Sequence, residues 1–155
     1  MANTYTKIYV HFVFAVQHRQ CLIKKAWKDE LYRYINATIT NKGHKLYAIG
    51  GMADHLHLLV SMNPDQSMSS FITDVKRSSA MWINQMFLRP GIFAWQRGFG
   101  AFTYSKNDVH NVANYIENQE EHHKKQNFHD EYIKFLNDHN IEYDERFVFR
   151  QVEKN

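Results

Sequence analysis

The chain has 155 residues, 44% hydrophobic and 23% charged, with a formal net charge of +3 before its ten histidines are counted. That balance excludes an intrinsically disordered chain, and the length suits one domain over 1–155 with its own core. The single Cys21 rules out an internal disulfide. No apolar run approaches the roughly 20 residues of a membrane helix. Residues 1–7 lack the basic and then apolar pattern of a secretory leader, so a cytoplasmic location is expected. The mild basicity permits nucleic acid as a partner without demanding it.

In chain order, residues 5–16 alternate with a two-residue period. Ile8, Val10, Phe12 and Phe14 share one face, and Lys7, Tyr9, His11 and Val13 the other, which predicts a strand. Residues 24–42 carry a helical stripe of Leu31, Tyr34, Ile35 and Ile39, closed by Gly43 as a C-terminal cap. Residues 44–49 and 54–62 read as two strands turning through Gly50-Gly51. Ser67 or Ser69 is placed to cap a helix over 68–87. A glycine-bearing loop over 88–100 leads into a strand at 101–105. Ser105 with Asp108 then resembles a capping box opening a helix over 106–125. A short helix over 128–138 and a strand near 146–149 complete the chain.

The order strand, helix, strand, strand, helix, strand predicts an α+β fold: a ferredoxin-like, RRM-like antiparallel sheet with two long helices on one face, plus C-terminal helices. The other face is left open for binding, for a partner subunit or for the last helices.

Two short patterns carry chemistry. In Asp54-His55-Leu56-His57-Leu58-Leu59-Val60, Leu56, Leu58 and Val60 form the natural core set. Strand alternation then sends His55 and His57 together to the opposite face. Two neutral imidazoles side by side are half of a divalent-metal site. Alone, such a triplet is more often a pair of surface histidines. Tyr115 and Gln119 stand four apart on the late helix, at the margin of a stripe of Val109, Val112, Ala113 and Ile116. Alone, they read as an interface phenol and a solvated amide.

The two patterns together, in this order, make a constellation. With His11, Gly51 through Val60, Lys76 with Ser78-Ser79, Trp95 through Phe102, and Tyr115-Ile116-Glu117-Asn118-Gln119, the chain resembles the HUH single-tyrosine transposases of the insertion-sequence 200/605 group. The resemblance implies that His55, His57 and Gln119 bind one Mg²⁺ or Mn²⁺. It implies that Tyr115 attacks the scissile phosphate of single-stranded DNA with hairpins at its ends, retains the 5′ phosphate covalently, and frees a 3′-OH. A second 3′-OH then reverses the step, and no ATP is required. It also implies a homodimer, in which the tyrosine acts within its own subunit or across the interface.

Five further residues are expected DNA contacts: His11, Lys76, Arg77, Trp95 and Arg97. Lysines and arginines hold phosphates and exposed aromatics stack on bases. For His11 a place behind the histidine pair or a packed polar role is an equal expectation. His122 and His123 are possible competing metal ligands. Glu120 with Lys124, and Glu121 with Lys125, have helix ion-pair spacing. The rival readings are a host-adopted hairpin nickase, a non-catalytic single-strand binder on an RRM-like sheet, and a metal-dependent hydrolase in which water attacks.

Overall fold

A computed structural model describes residues 3–148. The first strand, β1 (Tyr9–Ala15), is followed by helix α1 (Lys28–Asn41), the hairpin β2 (Lys45–Met52) and β3 (His55–Ser61), helix α2 (Met68–Met86) and strand β4 (Gly100–Thr103). Helix α3 (Val109–Glu117), the one-turn α4 (Gln119–His122) and α5 (Phe128–Asp138) complete it. The sheet order is β2-β3-β1-β4 with every pairing antiparallel, as the sequence predicts for a ferredoxin-like domain.

One face of the sheet presents Val10, Phe12 and Phe14 from β1 with Leu56, Leu58 and Val60 from β3. They pack against Leu31, Ile35 and Ile39 of α1 and Phe71, Ile72, Val75 and Ile83 of α2. Complete removal of such side chains from water contributes about 1.5–3 kcal/mol each, which makes this layer the main stabilising element. Gly43 closes α1 with φ +83°, a conformation costly for other residues. The Ser67 hydroxyl caps α2 by accepting from the Ser70 N–H at 3.1 Å.

Of the occupants expected for the opposite face, the late helices take it. It carries a second apolar cluster, in which Val13, Ala15 and Phe102 pack against Phe128, Tyr132 and Leu136 of α5. It also carries a third, in which Ala48 and Leu59 pack against Ile116 of α3. These residues alternate with the helix-facing set on the same strands, so α3 and α5 remove a second layer of apolar surface from water.

Three local expectations are corrected. The hairpin turns at residues 53 and 54, with Met52 opposite His55, and Gly50 and Gly51 lie inside β2. Close approach explains those glycines: a Cβ on Gly50 would stand 2.0 Å from the Ile116 carbonyl oxygen, and one on Gly51 2.1 Å from that of His55. The helix expected over 106–125 is divided. Residues 106–108 form a 3-10 turn, in which Ser105 Oγ donates to Asp108 at 3.0 Å. Asn118, at φ −103° and ψ 31°, then separates α3 from α4. The strand expected near 146–149 is a 3-10 turn over Glu145–Phe147, because the Asp144 carboxylate accepts the Arg146 N–H and pairs with its guanidinium. Phe149 lies outside the described residues.

Lys76 and Trp95, expected at DNA, serve the fold on the α2 side of the sheet. Lys76 Nζ donates to the carbonyls of Gln96 at 2.7 Å and Gly98 at 2.9 Å, fastening the loop before β4. Trp95 Nε1 donates to Ser79 Oγ at 3.0 Å, and its ring packs edge-on against Phe14 and Phe93.

Two outcomes follow for stability. Gly50→Ala should lower unfolding free energy by about 1–3 kcal/mol, since α3 must shift to admit the methyl group; urea titration reads this directly. Lys76→Met, which removes two charge-assisted hydrogen bonds and leaves two carbonyls unpaired, should cost a similar 1–3 kcal/mol in the same titration.

Candidate active site

Register fixes the first pair. His57 stands opposite Val13 on β1 and Gly50 on β2, and His55 opposite Ala15 and Met52, so both imidazoles rise from the face beneath α3 and α5. Because Gly50 has no side chain, α3 settles directly over β2 and brings the Tyr115 ring to 6.3 Å from the His57 ring, centroid to centroid. The two residue pairs picked out in the sequence therefore meet within one chain.

The interruption at Asn118 leaves their helical relation intact, for the Gln119 amide still donates back to the Tyr115 carbonyl at 3.4 Å. Gln119 Oε1 lies 3.3 Å from His55 Nε2.

His55 is held from behind. Its Nδ1 lies 2.8 Å from Asp54 Oδ1, and Arg19 grips the other Asp54 oxygen with Nη2 at 2.6 Å and Nε at 2.8 Å. Arg19 reaches inward from a positive-φ backbone, φ +55°. Burial pushes the Asp54 carboxyl up, but the His55 hydrogen bond and the Arg19 charge outweigh it and hold the group down at about 2. Burial likewise depresses His55, to about 4 despite the Asp54 hydrogen bond, so at neutral pH its imidazole is uncharged. An ionised carboxylate accepts but does not donate, so the one proton of His55 sits on Nδ1 and Nε2 is a bare lone pair.

That lone pair faces Gln119 Oε1, itself an acceptor. Two acceptors turned on one another in a buried site are the arrangement a cation resolves. The donor chemistry therefore fits a divalent metal: imidazole nitrogens, an amide oxygen and, beside them, a carboxylate.

That carboxylate was not singled out in the sequence. Glu131 projects from α5 between Phe128 and Tyr132. Its Oε1 lies 3.0 Å from His57 Nε2, 3.4 Å from His123 Nε2 and 3.9 Å from His55 Nε2. Ligand atoms from His55, His57, His123 and Glu131 all fall within 4.8 Å of one another. Its other oxygen accepts the Tyr115 hydroxyl. Burial raises the Glu131 carboxyl, yet hydrogen bonds from His123, His57 and Tyr115 leave it well below the usual range. Burial and that same carboxylate push the Tyr115 hydroxyl far above the ordinary tyrosine value. A signal for Glu131 was available: an acid three residues after Phe128 and next to Tyr132, within the apolar stripe of its helix.

Among the other expected residues, His123 joins the cluster and also reaches Gln119 Oε1 at 3.0 Å, while His122 stacks on Tyr115 with centroids 4.2 Å apart. His11 lies fully buried behind His57, its Nε2 2.8 Å from His57 Nδ1, and is covered by Phe135. Burial first, and then His57, lowers its pKa well below the usual value. Arg77 is exposed and pairs with Asp74 at 3.3 Å, and Arg97 is exposed in the loop; neither approaches the cluster. The spacing expected for helix ion pairs resolves otherwise: Lys124 pairs with Glu121, and Glu120 takes Lys28 of α1 at 3.1 Å. Among the described residues no helix is long and apolar enough to cross a membrane.

Comparison with known proteins places the chain in a family and a fold. The ISDra2 transposase TnpA of Deinococcus radiodurans is 25% identical over 114 residues, covering 70% of this chain and 81% of that protein. The transposase of insertion element IS200 from Salmonella typhimurium is 28% identical over 129 residues, covering 77% and 81%. Two solved structures share the fold. A transposase-like protein from D. radiodurans R1 matches with TM-score 0.62 at 24% identity, over 77% of this chain and 95% of that one. A REP-associated tyrosine transposase bound to a REP hairpin matches with TM-score 0.56 at 16% identity, over 75% and 68%. The model of the IS200-like transposases spans residues 4–119, which includes both histidines, the tyrosine and the glutamine, and the chain belongs to that family.

Proposed function

We propose that this chain cuts and rejoins single-stranded DNA at hairpin-bearing element ends through a covalent 5′-phosphotyrosine on Tyr115, assisted by Mg²⁺ or Mn²⁺ held by His55, His57 and Gln119. The observation that carries the reading is the convergence, inside one chain, of the Tyr115 hydroxyl with the His55–His57 pair around a single buried carboxylate. Hairpin DNA as the substrate class is supported by the REP-bound structural neighbour. A homodimer is carried by family membership. The site needs no residue from a second subunit to bring its tyrosine and histidines together.

Tyr115 Oη attacks phosphorus, the bond to the 3′ oxygen breaks, and that oxygen leaves as a 3′-OH after taking up a proton. The 5′ phosphate stays on Tyr115, and attack by another 3′-OH restores a phosphodiester and frees the phenol. A tyrosine of ordinary pKa, about 10, is a weak nucleophile at neutral pH, and in this closed arrangement Glu131 holds Tyr115 protonated still more firmly. When held by His55, His57 and Gln119, a divalent ion would withdraw charge from the phosphate oxygens and favour the phenolate. Asp54 keeps the His55 proton on Nδ1 and so keeps Nε2 open for the ion, and Arg19 holds Asp54 in place. The neutral Gln119 adds no negative charge against incoming DNA. Beside Tyr115 a cavity of about 260 Å³, bounded by Tyr104 and Phe135, offers aromatic surface for an unpaired base.

Incubation with a single-stranded hairpin oligonucleotide and Mn²⁺ should give a denaturation-resistant protein–DNA adduct. Tyr115→Phe, chelation and His57→Ala should each reduce it to background. Strand cleavage that persists in Tyr115→Phe would make water the nucleophile and overturn the covalent mechanism. Asp54→Asn should weaken Mn²⁺ binding 10–100-fold, roughly the effect of losing a carboxylate behind a ligating histidine, as read by electron paramagnetic resonance titration of free Mn²⁺.

A further inference from the structure

The residues matched by the family stop at 119, yet the most connected side chain in the cluster comes from α5. Glu131 is 2% exposed, as deeply buried as His55 and His57 at 0% and Gln119 at 1%. A buried carboxylate is costly unless it is paired or coordinates a metal. The close partners of Glu131 in the cluster are imidazoles and a phenol, all able to donate but none a permanent cation.

Two of the three spacings match those of ligands around one ion. Metal–ligand bonds of about 2.1 Å set neighbouring donor atoms roughly 3.0 Å apart in an octahedral shell and about 3.4 Å apart in a tetrahedral one. Glu131 Oε1 stands 3.0, 3.4 and 3.9 Å from three imidazole nitrogens. Its two oxygens also divide their work as two oxygens of a phosphate would, one toward the histidines and one toward the nucleophile. The helix that delivers it is seated firmly. Phe128 stacks on His55 at 3.9 Å with the rings 10° apart, Arg19 lies 4.5 Å above the Phe128 ring, and a Cβ on Gly100 would meet Tyr132 at 2.8 Å. With α5 in this place His55, His57 and Gln119 are buried while Tyr115 stays half-buried at the edge of its cavity, and a DNA phosphate comes between Tyr115 and the histidines only after Glu131 gives way.

We propose that Glu131 is a further ligand of the divalent ion in the DNA-free protein, and that it occupies, between the ion and the Tyr115 hydroxyl, the position the scissile phosphate takes. The proposal rests on reading the histidine cluster as the metal site. It adds an anionic ligand that raises resting metal affinity, and a carboxylate that incoming DNA must displace.

The test uses the full chain and Mn²⁺ alone, titrated by electron paramagnetic resonance, with circular dichroism to establish folding. Glu131→Gln should bind Mn²⁺ at least about tenfold more weakly than wild type. Tyr115→Phe, which changes no ligand, should bind within twofold of wild type. His57→Ala should lose binding altogether. The increase in melting temperature on adding Mn²⁺ should shrink in parallel for Glu131→Gln, and Glu131→Ala provides the same comparison without a replacement amide. At saturating Mn²⁺, adduct formation with the hairpin oligonucleotide should be faster in Glu131→Gln than in wild type. Unchanged Mn²⁺ affinity in Glu131→Gln together with loss in His57→Ala would overturn the role of Glu131 and leave the metal site standing. Unchanged affinity in both would overturn the metal site itself. Slower adduct formation in Glu131→Gln at saturating Mn²⁺ would overturn its place as a stand-in for phosphate.

Discussion

The two-residue alternation of β3 sets everything else in the molecule. Leu56, Leu58 and Val60 point into the layer under α1 and α2, and no residue of that trio retains exposed surface. Slipping the strand by one position would bring His55 and His57 into that layer and expel the aliphatic side chains, at a cost of several kcal/mol. The imidazoles are thus held on their face by the burial of leucines on the other. Because β3 is paired on both edges, with β1 and with β2, the register is enforced from two sides.

The second constraint is the contact between α3 and β2. Ordinary side chains facing α3 at the β2 positions would have kept the helix at a distance, and the phenol of Tyr115 would lie beyond the histidines. Gly50 removes that spacer, and the carbonyl of Ile116 comes down onto the strand. A backbone position without a side chain has in this way set the distance between the Tyr115 phenol and the two imidazoles.

The polar layer that results is organised along two rows of side chains, and in it His11 Nδ1 is buried without a hydrogen-bond partner. One runs from Arg19 through Asp54 and His55 toward Gln119 and His123; the other runs from His11 through His57 to Glu131 and Tyr115. They differ in electrical character. The first begins with a true ion pair and keeps His55 neutral with its free nitrogen forward. The second ends on a carboxylate that holds the phenol protonated. The imidazole of His55 is thereby oriented and the phenol of Tyr115 held protonated.

The order of the four strands and first two helices, the faces of β1 and β3 and the pairing of His55 with His57 and of Tyr115 with Gln119 were legible in the sequence. They depend on periodicity, and periodicity is a property of neighbours along the chain. Pairs of glycines usually mark turns, so Gly50-Gly51 suggested a hairpin bend; Gly51 makes room for the His55 carbonyl across the hairpin, but what Gly50 accommodates is Ile116, 66 positions later, and no local rule reports that distance. Lys76 and Trp95 have the chemistry of DNA contacts, but packing turned both toward the loop and core on the α2 side. For the second sheet face the sequence left binding, a partner subunit and the last helices as alternatives, because the apolar stripe of α5 does not announce what it covers; α3 and α5 take it. By itself, then, the sequence determined which groups would stand side by side on one strand or one helix. Tertiary structure decided that the strand pair and the helix pair share one site, and that Glu131 closes it, because those approaches depend on the packing of elements far apart in the chain.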